Sequence, residues 1–442
     1  SSPVCFKSQR VSSGPSTDQA PHVHMSTSAP DVDLKSRGLP QSLLLTGAAV
    51  AVGLALFFSR SFFRLSSDDA DFSSGDAEEG EAAVSSGIVG WLLWTALRLA
   101  QMIFGIFAML LAVLIARQRS ILYVPVPPGT QRSLKDNPSM FRSPEAWRLP
   151  YKDVYITAED GVRLHAWLVY QASPGSSQED VPYTLLYFHG NAGNIGHRLE
   201  NIRDMHRQLG VNVLILDYRG YGDSEDGDGP SEAGFMKDAA AAYRWLVEQA
   251  RRPQKLQQSA GGDSSSARIR SDRLLFFGRS IGGAVAIRLA AQLLREQRGK
   301  ALLGEDTGTD AALPLPAGLI LENTFTSLRD MAVQVFPFLM PLRSVLRAPL
   351  IFDEWLSCDS LEYLASNHEH WCCCLLSGLQ DQIVPPEQMK QLHAILKQHR
   401  PKVLKFFCFP NGGHNDTPQR GGPDYWASFK KYMDLVVSTE PE

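Results

Sequence analysis

The segment Gly278-Arg279-Ser280-Ile281-Gly282 directly follows the apolar run Leu274-Leu275-Phe276-Phe277. A G-x-S-x-G pentapeptide in that setting predicts a strand that turns sharply into a helix, with the Ser280 hydroxyl raised above the strand end. Gly278 and Gly282 supply no Cβ where the turn brings chain against chain. The residues that follow, Ile281-Gly282-Gly283-Ala284-Val285-Ala286-Ile287, predict a helix whose small first turn aims its amides and the positive end of its dipole at Ser280.

A serine nucleophile requires a base, an acid that orients the base, and donors for the oxyanion. On an elbow of this kind the acid and then the histidine follow the serine along the chain. Asp381 lies on the loop Ser377-Gly378-Leu379-Gln380-Asp381, just past the apolar run Cys372 to Leu376. His414 ends the Gly-rich loop that follows Phe406-Phe407-Cys408-Phe409. Of the 11 histidines it is the one with this chain order, loop context and preceding strand. Glu322, at the end of Gly318-Leu319-Ile320-Leu321, is the rival acid, and Asp381 is favoured over it. Asp416 is too near His414 in sequence to orient its ring and is read as a loop residue. The expected oxyanion donors are the backbone N–H groups of Ile281 and of Asn191, with Ala192 the second choice for the latter. Asn191 sits in His189-Gly190-Asn191-Ala192-Gly193-Asn194, after the strand Tyr183 to Phe188. This loop lacks the spacing and the Lys-Ser/Thr ending of a phosphate cradle.

His189 to Leu199, Asp217-Tyr218-Arg219-Gly220-Tyr221-Gly222-Asp223-Ser224, Gly278 to Ile287, Glu322-Asn323-Thr324-Phe325 and His414-Asn415-Asp416-Thr417 together resemble one group. It is the alpha/beta-hydrolase domain-containing protein thirteen family, related to the yeast bud-emergence-type hydrolases. The resemblance covers about Leu122 to Val437. It implies the alpha/beta-hydrolase fold and a membrane-anchored serine hydrolase with the triad Ser280, Asp381 and His414. A neighbouring family removes palmitate from cytosolic proteins, which implies acylated proteins as a substrate class. The same branch of the superfamily also carries a serine aminopeptidase-like label.

Strands alternate with helical segments from Val154 to Val437, which argues for an α/β fold with a mostly parallel central sheet and helices on both faces. Glu159-Asp160-Gly161 between two strand-like runs predicts a hairpin. With 44% hydrophobic residues in 442, there is material for one large core plus appendages. A net charge of −4 with no basic patch gives no footprint for nucleic acid. Arg251 to Asp272 and Arg298 to Leu313 read as polar, disordered insertions on the edge away from the site. The segment from Asn323 to Glu369 reads as a small cap on the catalytic edge. Its apolar run Val335 to Leu342 fits either an acyl pocket or bilayer contact, or packing onto the core.

Residues 1–40 read as a disordered tail and residues 41–121 as a membrane-anchor region. Ile88 to Ala116, interrupted only by Arg98 and Gln101, predicts a transmembrane helix. Leu43 to Phe58 is about 16 residues, short for a span, and fits a first span or an interfacial segment. The stretch 65–87 between them reads as an acidic linker; Asp68 to Glu81 holds seven acids and no base. Arg117 and Arg119 follow the longer span, so positive-inside bias puts the catalytic domain, about 122–442, in the cytosol. Cys372, Cys373 and Cys374, adjacent on one strand, cannot pair with one another and imply no oxidising compartment. A glycan at the sequon Asn415-Asp416-Thr417 would obstruct His414.

The chemistry expected is acyl transfer through a Ser280 acyl-enzyme, with no metal or cofactor required. A membrane tether favours long acyl esters or thioesters of proteins or lipids. Two alternatives remain at this point. One is an aminopeptidase-like enzyme using cap acids such as Asp330, Asp353 and Glu354; the other is a non-catalytic membrane scaffold.

Overall fold

The computed structural model describes residues 77–171, 181–252, 267–303, 312–344, 351–368 and 371–437. The expected tail, the short apolar segment 43–58 and the middles of both polar insertions lie outside them. The chain divides into two units, Ser1–Arg98 and Leu99–Glu442.

Helix α1 (Ala77–Leu122) begins inside the stretch expected to be an acidic linker and runs past the expected end of the span. Its Ile88–Leu122 portion is long and apolar enough to cross a membrane and buries none of its most apolar window in the protein.

The second unit carries one eight-stranded sheet: β1 (Tyr151–Thr157), β2 (Arg163–Val169), β3 (Thr184–Phe188), β4 (Asn212–Leu216), β5 (Leu274–Arg279), β6 (Gly318–Glu322), β7 (Cys372–Gly378) and β8 (Val403–Phe409). Their spatial order is β1-β2-β4-β3-β5-β6-β7-β8. The first two strands form the expected hairpin, and β2 runs antiparallel to β4. Every pairing from β4 to β8 is parallel. The central strands are buried along their whole length and predominantly apolar, as strands covered on both faces are. Alternate side chains divide between two cores. Leu186, Phe276, Leu319 and Cys373 meet one face, which α3 (Glu232–Arg251) and α4 (Ile281–Leu303) cover. Leu185, Phe277, Ile320 and Cys374 meet the other, which α2 (Leu199–Asp204) and the C-terminal helix α8 (Thr417–Val437) cover.

The second polar stretch is helical as far as Leu303, because α4 continues to that residue. Between β6 and β7 lie α5 (Leu328–Val335), a 3-10 turn (Pro337–Leu342) and α6 (Ser357–Asn367). Within the apolar run, Leu339 is buried whereas Phe336 and Met340 face outward. Helix α7 (Pro386–Gln398) follows the β7 loop.

Register decides where the loops emerge. Phe188 pairs with Gly278, Arg279 with Glu322, Glu322 with Leu376, and Gly378 with Phe409. Five strands therefore end within about two residues of one another, and the loops at 189, 280, 323, 379 and 410 leave one edge together.

Arg219, on the loop after β4, ties the hairpin turn to this frame. It donates to Asp160 at 2.7 Å and to Asp238 of α3 at 2.7 Å. Hydrogen bonding from Arg219, aided by Lys237, holds the Asp160 carboxyl well below the usual carboxylate range despite its slight burial. A depressed folded-state pKa contributes stability above the unfolded value, near 3.9, that is lost as pH falls. Asp160→Asn should lower the melting temperature by a few degrees at pH 7, equivalent to about 1 kcal/mol. The gap from wild type should narrow below about pH 4. An equal gap at pH 3 and pH 7 in thermal melts would assign the effect to something other than the ion pair.

Candidate active site

Ser280 holds a left-handed backbone, φ 55°, between β5 and α4. A non-glycine residue there is strained by roughly 1–2 kcal/mol. Three hydrogen bonds hold it. Its N–H donates to the Glu322 carbonyl at 2.9 Å, and its carbonyl accepts from Gly283 N–H at 2.9 Å and from Thr324 Oγ1 at 2.7 Å. A Cβ on Gly278 would lie 2.6 Å from Gly283 Cα, and one on Gly282 would collide with the Phe188 carbonyl oxygen. Both are backbone obstacles, so neither collision is relieved by a rotamer change.

The structure brings Ser280, His414 and Asp381 together. Asp381 Oδ2 lies 2.7 Å from His414 Nδ1, and His414 Nε2 lies 3.1 Å from Ser280 Oγ. A carboxylate can only accept, so Nδ1 carries the proton and Nε2 is free to accept from the serine. The other carboxylate oxygen, Oδ1, accepts from the N–H groups of Ile383 at 2.9 Å and Val384 at 2.8 Å, which fixes its direction. The Asp381 side chain is nearly inaccessible, and His414 retains a small solvent-facing surface.

Ile281 is the first residue of α4, so its N–H has no carbonyl one turn earlier within the helix to receive it. The loop carrying Asn191 passes over the serine: a Cβ on Gly190 would lie 3.6 Å from Ser280 Cβ. The Asn191 side chain is used elsewhere. Its Oδ1 accepts from Val124 N–H at 3.2 Å and Tyr221 OH at 2.8 Å, and its Nδ2 donates to the Leu122 carbonyl. His189 is wholly enclosed; burial, reinforced by the charge of Arg198, pushes its pKa down to about 3, so it sits neutral against Tyr218 and Tyr221.

Glu322 does not meet the histidine ring. Its carboxylate lies 3.1 Å from Arg279 Nε and accepts from Tyr425 OH. Burial pushes its pKa up, against the opposing pull of Arg279 and Tyr425. Asp416 accepts from Gly413 N–H at 2.7 Å and pairs with Arg420, so it shapes the histidine loop.

Two side chains that the sequence reading passed over reach the same loop. Arg279 Nη2 donates to the His414 carbonyl at 2.6 Å and to Asn415 Oδ1 at 2.9 Å. Asn323 Nδ2 donates to the Gly413 and His414 carbonyls, each at 3.3 Å, and its Oδ1 accepts from Gly378 N–H at 2.8 Å. The signal for the first was present: Arg279 and Glu322 each end an apolar strand, and a buried charge requires a partner.

No protein-family model matches the chain. Among curated proteins, the alpha/beta hydrolase domain-containing protein WAV2 of Arabidopsis thaliana is 35% identical over 342 residues, covering 75% of this chain and 92% of that protein. Protein bem46 of Schizosaccharomyces pombe is 34% identical over 62% of this chain and 74% of its own length. The lysophosphatidylserine lipase ABHD12 of Danio rerio is 28% identical over 56% of this chain and 59% of its own. With an elbow serine on a level strand edge, a sheet whose second strand alone is reversed, and this degree of identity across nearly the whole of a relative, the chain belongs to the alpha/beta-hydrolase superfamily, in the branch of bem46 and the ABHD-type hydrolase domain proteins.

Proposed function

We propose that this protein is a membrane-anchored serine hydrolase that cleaves long acyl esters or thioesters, as a palmitoyl-protein thioesterase or a lipid esterase. The single observation that carries the reading is the relay Asp381–His414–Ser280, with contacts of 2.7 and 3.1 Å at the edge where the strands end. In this reading His414 Nε2 takes the Ser280 proton as Oγ attacks the acyl carbonyl. The Ile281 and Asn191 amides receive the developing oxyanion. Collapse expels an alcohol or thiol, which His414 protonates, and leaves an ester on Ser280. Water activated by the same imidazole then releases the fatty acid and restores the serine.

The lipid direction draws support from the naming of one relative as a lysophosphatidylserine lipase and from the apolar helix Ile88–Leu122. The aminopeptidase-like alternative draws less. Asp330 is engaged by Ser327, Thr326 and Arg343, and Asp353 by Arg119 and the Glu232 N–H. An incoming substrate amine would have to displace these partners. Arg117 and Arg119 at the end of α1 favour a cytosolic domain, although Arg119 is spent on the pair with Asp353.

The test is labelling of the full chain in membranes by a fluorophosphonate, with a palmitoyl thioester, a lysophospholipid and an aminoacyl ester as competitors. Labelling should depend on Ser280 and be blocked by one of the long acyl compounds. Ser280→Ala should lower turnover by about four to six orders of magnitude, and Asp381→Asn by about four. Labelling that persists in Ser280→Ala, or blockade by the aminoacyl ester alone, would sink the proposal.

Arg279 is assigned as a positioning residue, since it holds the backbone of His414 and not the substrate. Arg279→Gln should reduce kcat by about ten- to a hundredfold with KM little changed, because a misplacement near 1 Å costs that much. Added guanidinium should restore part of the rate to Arg279→Ala. A loss of kcat matched by a loss of folded protein, with no rescue, would mark Arg279 as merely structural.

A further inference from the structure

Outside α1, nine large apolar side chains stand exposed among the described residues, and six of them lie on segments that leave the catalytic edge or contact its loops: Val126, Phe336, Met340, Phe352, Leu379 and Ile383. Their exposures lie between 37 and 60%. They come from three separate parts of the chain. Leu379 and Ile383 flank Asp381 on its loop. Phe336, Met340 and Phe352 belong to the cap. Val126 follows Val124, which bridges to Ala192 of the oxyanion loop. Isolated exposed apolar residues are ordinary, but a set gathered on one edge from distant parts of the chain marks an interaction surface.

The end of α1 identifies what covers it. Gln118 Oε1 accepts from the Phe352 N–H at 2.9 Å, Arg119 Nε pairs with Asp353 at 2.9 Å, and the Arg119 guanidinium lies 5.8 Å from the centre of the Phe352 ring. From there the contacts run on along the rim. Leu328 N–H donates to the Glu354 carbonyl at 3.0 Å, and Gln388 Nε2 donates to Gln334 Oε1 at 2.9 Å, which joins the cap to the helix after the Asp381 loop. The last turn of the candidate span is thus built into this rim.

We propose that the six side chains sink into the interfacial layer of the bilayer that α1 crosses, so that the mouth above Ser280 opens onto lipid and an acyl chain enters without crossing water. This rests on the membrane-anchored reading above and adds a docked orientation to it. A flexible tether alone would leave the domain free to tumble in water. Attachment at the rim fixes the catalytic edge against the surface from which the substrate must come.

The experiment places the photoreactive residue p-benzoylphenylalanine at position 340, 352 or, as a control on the edge strand β1, 155. Tyr155 is as exposed as the rim residues. The full chain is reconstituted in phosphatidylcholine vesicles, irradiated, and analysed for covalent lipid. Positions 340 and 352 should capture lipid at least about tenfold more than 155. Alkaline extraction of the same vesicles separates the two readings. Release of the chain overturns the membrane anchor and this inference with it. Retention of the chain with equal capture at all three positions overturns the docked rim alone. As a second measurement, Met340→Asp with Phe352→Asp should slow hydrolysis of a vesicle-borne long-chain ester by about tenfold and leave a short water-soluble ester within about twofold of wild type. Equal effects on both substrates would also overturn it.

Discussion

The left-handed backbone of Ser280 is the constraint on which the rest of this structure depends. A serine at φ 55° is unfavourable by itself and persists only where its surroundings leave no alternative. Here the alternative is removed from several directions. The β5–β6 ladder continues one residue past the strands through Ser280 N–H to the Glu322 carbonyl, Thr324 caps the serine carbonyl, and the glycines let β5, α4 and the end of β3 close to backbone contact. The hydroxyl is therefore held by the sheet itself. Its position inherits the rigidity of strands buried on both faces.

A second layer does for the histidine what the sheet does for the serine. His414 sits on a loop, and loops are the less rigid part of any fold. Arg279 and Asn323, each beside an elbow or strand end, donate to the carbonyls on either side of it, while Asn323 also accepts from Gly378 at the root of the Asp381 loop. Three catalytic-edge loops are tied at one point. The buried carboxylate of Glu322 makes this workable, because the Arg279 guanidinium would otherwise be a lone charge under the site. The acid that competes with Asp381 in the sequence is thus the counter-ion of the residue that holds the histidine loop.

This division explains what could be read from the chain. Strand–elbow–helix at 274–290 and the order of Ser280, Asp381 and His414 were legible because each rests on local pattern: an apolar run, then glycine, then a reactive side chain. The choice between Asp381 and Glu322 rested on topology, which sequence order reflects only indirectly. Arg279 and Asn323 were not recognised, since their roles depend on register across β5, β6 and β7, and no local period encodes register. The start of α1 was missed for a different reason. Seven acids suggested a solvated linker, yet Ala, Glu and Asp at a helix N-terminus are also what the positive end of the dipole favours.

Asn191 shows how one side chain can tie separate segments together. The oxyanion role expected of Asn191 needs only its backbone N–H, which any residue type could supply. The structure uses its amide side chain, which few could replace: one oxygen accepting from Val124 and Tyr221, one nitrogen donating to Leu122. Those contacts bind the loop carrying Asn191 to Leu122 and Val124, where α1 ends, and the Gly193 N–H adds a further bond to the Val124 carbonyl at 3.3 Å. Tyr123, between them, is buried against Phe235 and accepts from Trp355 of the cap at 3.1 Å. The exit of the apolar helix is consequently no passive leash. It is one wall of the loop that overlies Ser280, tied to it by hydrogen bonds rather than by a flexible linker.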